Sequence, residues 1–249
     1  MIYPELPAEV SEDIASRILY EDNHLIVFNK LSGEIVQGDK TGDVPLSEML
    51  KAFIARRDNK PGQVFIGVPH RLDRPVSGIC LFAKTSKCLE RLNAAFRDGT
   101  VHKTYWALTT ARPEPAEGML VHFLVRNEKQ NKSYAARTRE ASMHLTGRGG
   151  VSGGAGAVKE ARLKYRLVQE TQRYFLVEVE LLTGRHHQIR CQLSAAGWPI
   201  KGDLKYGAPR SNPDGSISLH ARSVTFVHPV RKEEMTITAP LDWSPIIKA

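Results

Sequence analysis

The sequence predicts an α+β fold on a large, mixed, mostly antiparallel β-sheet flanked by helices. Two observations carry this reading. Strand-like runs recur along most of the 249 residues and outnumber the helical stretches. Helical spacing is confined to a few short segments, and no internal repeat points to a solenoid.

The elements follow in chain order. Residues 1–16 read as a lead-in, irregular over 4–11. Residues 18–20 and 25–28 read as two short strands, turned by Glu21-Asp22-Asn23. Residues 29–43 form a turn-rich loop with Gly33, Gly38 and Gly42. Residues 44–56 have helical spacing, with Leu46, Leu50, Phe53 and Ile54 as an apolar stripe. A charged segment, 70–78, precedes a strand over 79–83. Thr85 or Ser86 then caps a helix that runs to Arg97, with Leu89, Leu92 and Phe96 inward. Residues 101–109 read as a strand, Tyr105 and Ala107 on one face and Trp106 and Leu108 on the other. Further strands are expected over 118–123, 132–136, 160–169 and 174–182. The last alternates Phe175, Val177 and Val179 with Glu178 and Glu180. Residues 147–156 are Gly-rich with little apolar content; they match neither a Walker loop nor a dinucleotide fingerprint and read as a flexible loop. A short helix over 186–196 turns Ile189, Leu193 and Ala196 inward and Arg190 to another side. Strands over 217–220, 223–228 and 234–238 precede a surface strap, 242–249. One domain over 1–249 is the expected organisation.

Composition bounds the function. Thirty-five Lys and Arg against 27 Asp and Glu give a formal charge of +8. That balance favours a polyanionic partner, although a soluble protein that is merely basic would share it. The three cysteines, Cys80, Cys88 and Cys191, form no CxxC pair, and an odd count argues against a disulfide framework. A reducing compartment fits, and a cytoplasmic location is expected. The first twenty residues contain acids and no long apolar stretch, and no segment is apolar enough to span a membrane. A monomer is expected, since no coiled-coil pattern appears.

Residues 70–78, His-Arg-Leu-Asp-Arg-Pro-Val-Ser-Gly, set Asp73 between Arg71 and Arg74, ahead of a strand. Cations beside an acid favour its ionised form, which suits a nucleophile or base better than a general acid. A second dense cluster, Thr183-Gly184-Arg185-His186-His187-Gln188-Ile189-Arg190, follows later. Together they point to chemistry on an anionic polymer, RNA first. Adjacent His186 and His187 do not share a helix face as an i, i+4 pair would, and no nearby Cys or Asp completes a tetrahedral zinc site. No metal and no nucleotide cofactor is expected.

Residues 70–78 resemble the signature of the RluA-type RNA pseudouridine synthases, His-Arg-Leu-Asp-x-x-Thr-Ser-Gly. Residues 18–36 resemble the family's opening segment, and Lys103-Thr104-Tyr105-Trp106-Ala107 its Lys-x-Tyr-x-Ala strand. Residues 182–190 resemble its Thr-Gly-Arg-x-His-Gln-Ile-Arg element; Gly202-Asp203-Leu204-Lys205-Tyr206-Gly207 and Leu219-His220-Ala221 resemble two late motifs. The resemblance is to a short form without an N-terminal S4-like domain. It implies the pseudouridine synthase catalytic fold with a central active-site cleft, and isomerisation of uridine in RNA without a cofactor.

By that resemblance Asp73 is the catalytic carboxylate; the residues leave open whether it attacks C1′ or removes the C2′ proton. Tyr105 matches the active-site tyrosine, and Arg190 the arginine that pairs with the acid, a role Arg185 could exchange with it. Arg71 would occupy the space of the extruded nucleotide or touch its phosphate. Arg185 would meet phosphate or orient its loop, Leu72 and Ile189 would wall the base, and Lys205 would support the cleft. His187 would hold a structural hydrogen bond. Arg126, Lys129, Lys132, Arg137 and Arg139 form a basic stretch that would grip RNA or simply be solvated.

Three positions depart from the family pattern: Val76 for Thr, Leu31 for Pro, and Gln37 after Val36 where many members carry His. They bear on substrate rather than reaction. The expected substrate is a structured stem-loop of ribosomal or transfer RNA, with one uridine extruded. Two other readings compete: a non-catalytic RNA-binding or ribosome-assembly protein on the same fold, and a metal-dependent nuclease. The second would need acids converging on Mg²⁺, and Asp73, Asp203 and Glu180 have no such spacing.

Overall fold

The structure is a computed structural model and describes residues 3, 5–146, 158–241 and 243. Among these it contains five α-helices and ten strands: α1 (Ala8–Ser16), β1 (Ile18–Glu21), β2 (Leu25–Lys30), α2 (Leu46–Arg57), β3 (Ser77–Ala83), α3 (Ser86–Arg97), β4 (His102–Thr109), β5 (Glu117–Asn127), β6 (Lys132–Ala136), α4 (Arg139–Thr146), β7 (Lys159–Glu170), β8 (Phe175–Leu181), α5 (Gln188–Ala195), β9 (Leu219–Val227) and β10 (Glu234–Thr238). A short 3-10 turn covers Leu204–Tyr206. The α+β class and the mostly antiparallel strand pairing are as the sequence predicts. The chain divides into two compact units, one of residues 1–102 and 221–241, the other of the described residues in 103–220 with Trp243.

The first unit has the strand order β1-β2-β3-β9, with β10 on β9. Both faces of β2 and β3 are buried. Ile26, Phe28, Cys80 and Phe82 pack with Ile14 of α1 and Leu46, Leu50, Phe53 and Ile54 of α2. Leu25, Val27, Ile79 and Leu81 pack on the other side with Cys88 and Leu92 of α3 and with Val224 and Phe226 of β9. Helical cover on one face and mixed cover on the other is why these strands read as continuous apolar runs rather than alternating ones. The Thr85 hydroxyl caps α3, accepting from the Cys88 amide at 3.2 Å.

The second unit has the order β4-β8-β7-β5-β6, antiparallel throughout. Here the burial alternates along β7: Ala161, Leu163 and Tyr165 are buried, while Lys164 and Arg166 face solvent and bridge Glu180 and Glu178 of β8 at 3.4 and 2.9 Å. One face of this sheet is solvated, so its strands keep the period-2 pattern. Helix α5 packs on the other side against β5 and β6, with Cys191, Leu124, Ala161 and Tyr206 in one buried cluster. All three cysteines are buried free thiols, and burial pushes Cys80 and Cys191 up to about 12, which leaves them unreactive.

Several boundaries differ from the sequence reading. The lead-in is not irregular throughout, because Ala8–Ser16 is helical. Its polar sequence carries one fully buried anchor, Ile14, so tertiary packing rather than an apolar stripe holds it. Helix α4 was not expected; its first turn is capped by the Thr138 hydroxyl, which accepts from the Ala141 amide at 3.1 Å. The two expected strands, 217–220 and 223–228, are one strand, β9, because pairing continues through the gap: the Ala239 amide donates to the Arg222 carbonyl at 2.8 Å, next to the Ser223–Thr238 pair. The Gly-rich stretch 147–156 and, Trp243 apart, the strap 242–249 lie outside the described residues.

Candidate active site

Asp73 sits in a tight turn of the first unit, half-buried, with its carbonyl accepting from the Val76 amide at 3.0 Å. The turn is pinned from below by Lys30, a fully buried side chain. Its ammonium donates to the carbonyls of Leu31, Arg74 and Val76 at 2.8, 3.0 and 2.6 Å. Three carbonyls match the three donors of an ammonium, which is what permits a lysine in the interior. Burial nevertheless pushes Lys30 down to about 8, with Cys80, Glu34 and Asp73 pulling it back up. The Gly33 amide donates to the Arg74 carbonyl at 2.8 Å and the Ser32 hydroxyl to the Pro75 carbonyl at 3.2 Å, so the 29–43 loop clasps the Asp73 turn.

The neighbours of Asp73 divide their work. Arg74 turns to that loop, donating to Asp43 at 2.6 Å and to the Thr41 hydroxyl at 2.8 Å. The Arg74 hydrogen bond is the leading cause holding Asp43 below the usual carboxylate range. Arg71 is exposed, and Leu72 packs partly buried against the α1–α2 core. The His70 ring lies 4.7 Å from that of Phe96, and its Nε2 accepts from the Leu81 amide at 2.9 Å. That hydrogen bond ties the start of the motif to β3. Val76 is buried, so the methyl that replaces the usual hydroxyl is packed.

The other sequence-predicted residues lie in the second unit. Tyr105 is buried on β4, paired with Val179 of β8. Arg190 is buried in α5, and its Nε and Nη2 donate to the two carboxylate oxygens of Asp203 at 2.7 and 2.9 Å. The guanidinium carbon lies 5.1 Å from the centroid of the Tyr206 ring. Ile189 is buried beside it. Arg185 is exposed and donates from Nε to the Glu160 carbonyl at 3.0 Å. Lys205 is exposed and reaches the carbonyls of Asn131 and Gln130 at 3.1 and 3.4 Å. It braces the β5–β6 hairpin that carries Arg126, Lys129 and Lys132.

Apart from His187, the start of α5 is built by residues whose roles the sequence did not disclose. The Gln188 side-chain oxygen accepts from the Thr183 hydroxyl at 2.8 Å and the Arg185 amide at 2.9 Å, and its amide donates to the Arg162 carbonyl at 3.0 Å. His187 takes a left-handed conformation, φ +51°, as the residue that caps α5. Its Nδ1 lies 3.0 Å from the Tyr206 hydroxyl, and its ring stacks on His186 at 3.8 Å. Burial first, and then Arg190, His186, Lys205 and Arg126, push His187 down to about 2. The expected structural hydrogen bond of His187 is therefore made, to Tyr206. His186 bonds Ser133 and Asn131 at 2.8 and 3.1 Å. Among the described residues, no three His, Cys, Asp or Glu side chains cluster as metal ligands, and no helix is long and apolar enough to cross a membrane.

The sequence signal that could have found Asp203 and Tyr206 was the Gly202–Gly207 motif; the motif was visible, and its pairing with Arg190 was not.

Comparison with known proteins identifies the family. The RNA pseudouridylate synthase family model matches residues 24–195, a span that holds Asp73, Tyr105 and Arg190. The ribosomal large subunit pseudouridine synthase C of Vibrio cholerae is 32% identical over 232 residues, 90% of this chain and 65% of that protein. Its counterpart in Vibrio vulnificus is 30% identical over 235 residues, 92% of this chain and 67% of that protein. The chain thus spans about two thirds of the length of these relatives. Among solved structures, human RNA pseudouridylate synthase domain containing 4 superposes with a TM-score of 0.75 at 23% identity, covering 96% of this chain and 93% of that one. Human RNA pseudouridylate synthase domain containing 1 gives 0.67 at 22%, covering 92% and 85%; at such identity the likeness is one of fold. The family match over most of the chain, on the motifs that hold the acid, the tyrosine and the arginine, means that the protein belongs to the RluA-type RNA pseudouridine synthases.

Proposed function

We propose that this protein isomerises specific uridines of structured ribosomal RNA to pseudouridine, with Asp73 as the catalytic carboxylate. The observation that carries the reading is the family match over residues 24–195, which contains every predicted catalytic residue. The choice of ribosomal RNA rests on the relatives at about 30% identity that bear large-subunit names, and the formal charge of +8 suits a phosphate backbone.

The reaction balances without a cofactor. The bond from C1′ to N1 breaks, the uracil turns, and C1′ bonds to C5. C5 gives up its proton and N1 gains one, so nothing is oxidised or reduced. Asp73 supplies an oxygen to the ribose, by attack at C1′ or by taking the C2′ proton. Tyr105 offers a ring on which uracil can stack and a hydroxyl for proton transfer. Arg190 serves as the cation for the acid, Arg71 and Arg185 meet phosphate or the extruded nucleotide, Leu72 and Ile189 wall the base, and Lys205 supports the cleft. Extruding a uridine costs a few kcal/mol, least in a loop, which favours an unpaired target in a stem-loop. In this reading the enzyme is a cytoplasmic monomer and needs no metal.

The test is pseudouridine mapping on total RNA from source cells with and without the gene. Loss of signal at a ribosomal uridine is expected, with rescue by wild type and not by Asp73→Asn, whose RNA binding is retained. Loss in transfer RNA instead would keep the reaction and move the substrate. Full turnover by Asp73→Asn would remove the acid from its role, and loss of activity in excess EDTA would favour a metal-dependent enzyme.

A further inference from the structure

The side chains around Arg190 bind it in a way that goes beyond burying a charge. Asp203, itself 1% exposed in its side chain, takes Nε and Nη2 in a two-point pairing that fixes the guanidinium in its own plane. The Tyr206 ring lies against the same guanidinium, its centroid 5.1 Å from the central carbon, and restrains it from a second direction. Tyr206 is in turn fixed at three points. Its hydroxyl accepts from the Ser133 amide at 2.8 Å and meets His187 Nδ1 at 3.0 Å, and its carbonyl accepts from the Ser194 hydroxyl at 2.6 Å. Asp203 is tied into the same turn, its carbonyl accepting from the Tyr206 and Ala208 amides, both at 3.0 Å. A single turn after α5 thus supplies both restraints on one arginine of the helix.

Such an arrangement is expensive if its purpose is stability alone, because burying an ion pair gains little over apolar packing. What it gives is direction. With Nε and Nη2 held by Asp203, the remaining edge of the fork at Nη1 points one way only. We propose that Asp203 and Tyr206 are positioning residues for the reaction, setting the plane and heading of the Arg190 guanidinium. This rests on the proposed part of Arg190 in catalysis.

The experiment is a double-mutant cycle on the purified enzyme. The probe is total RNA from a strain lacking the gene, and the readout is single-turnover conversion at the mapped uridine, alongside the RNA dissociation constant. Asp203→Asn is expected to slow conversion about 100-fold, the cost of misplacing a catalytic group by about 1 Å. Arg190→Lys, which cannot present a fork, is expected to be at least as slow. The Asp203→Asn/Arg190→Lys double variant is expected to match Arg190→Lys alone to within about 2-fold. RNA affinity is expected to stay near wild type throughout, and Asp203→Glu, which keeps the charge, to recover most of the lost rate. A residue that only supported the fold would not produce this pattern, because its effect would multiply with that of Arg190→Lys.

Multiplied effects, or wild-type speed for Asp203→Asn beside a slow Arg190→Lys, would overturn the positioning role and leave Arg190 in the mechanism. Wild-type speed for Arg190→Lys would overturn the catalytic reading of Arg190, and the positioning role with it. Where Asp203→Asn fails to fold, Tyr206→Leu, which removes the ring face, carries the same cycle with the same two outcomes.

Discussion

Gly78 closes the Asp73 motif as the second residue of β3, and replacing it by alanine gives a sharp test of how that loop is held. Its φ is +108°, and a Cβ built there would lie 2.4 Å from the Ala221 carbonyl oxygen and 2.6 Å from the Ala221 nitrogen. Both are backbone atoms of β9 and cannot turn aside as a side-chain tip would. Two costs therefore add. Holding a residue with a side chain in this region of φ costs about 1–3 kcal/mol. Forcing strand backbone apart inside a packed sheet costs a further 1–3 kcal/mol, roughly, as overpacking does. The expected loss for Gly78→Ala is about 2–6 kcal/mol, a large share of the roughly 5–15 kcal/mol that holds an ordinary domain folded. Two controls separate the terms. Gly33 has φ +91° with nothing within 4 Å of its Cβ position, so Gly33→Ala carries the conformational cost alone. Gly38 has neither a positive φ nor a close neighbour, so Gly38→Ala should be neutral or gain up to about 1 kcal/mol through the unfolded chain. Urea unfolding of the three variants, compared at equal m-value, measures the series. A Gly78→Ala variant no less stable than Gly33→Ala would refute the close approach of Ala221 as the reason for glycine.

Three further outcomes are expected. Burial lowers Lys30 from 10.5 to about 8; between those values the unfolded chain holds the extra proton, so stability rises with pH there. The advantage of wild type over Lys30→Met should therefore grow by about 3 kcal/mol across that window, and a pH-independent difference in urea unfolding would contradict it. His187 falls from 6.5 to about 2 on folding; as pH drops below 6.5 the unfolded chain takes the proton first, and stability is lost. His187→Asn, which tolerates the left-handed backbone, should flatten that acid limb in melting temperatures between pH 7 and about 4.5. Arg126 and Lys129 are exposed on the β5–β6 hairpin; Arg126→Ala or Lys129→Ala should lower RNA affinity and shallow the slope of log affinity against log salt by about 0.7–0.9 for each phosphate no longer neutralised. Filter binding at several salt concentrations reads it, and an unchanged slope would move the RNA grip elsewhere.

What the sequence disclosed and what it hid divide along a physical line. Asp73, Tyr105 and Arg190 stood out as candidates because each stands inside a short contiguous motif, and β8 was legible because one solvated face writes its alternation into the chain. The 44–56 stripe gave α2 to within two residues at its start. Helix α1 was illegible because its one fully buried residue, Ile14, makes no period. β9 looked broken at Ala221 and Arg222, since sequence does not display the pairing that carries the strand through them, where the Ala239 amide donates to the Arg222 carbonyl at 2.8 Å. The same limit applies with more force to the site. Lysine is a residue expected outside, so nothing in Asn29-Lys30-Leu31 announces an ammonium fully buried between the Leu31 carbonyl and two carbonyls of the Asp73 turn. Asp203 stands 13 residues from Arg190, and the pairing exists only because a turn folds back on α5. Motifs therefore expose candidates for contact with substrate, whereas a restraint such as that of Asp203 on Arg190 is defined by closure of the chain. That is why the cycle linking Asp203 to Arg190 bears on the proposed mechanism more directly than another substitution of the motif acid: Asp73→Asn asks whether the acid is needed, and the cycle asks whether Asp203 gives Arg190 a direction.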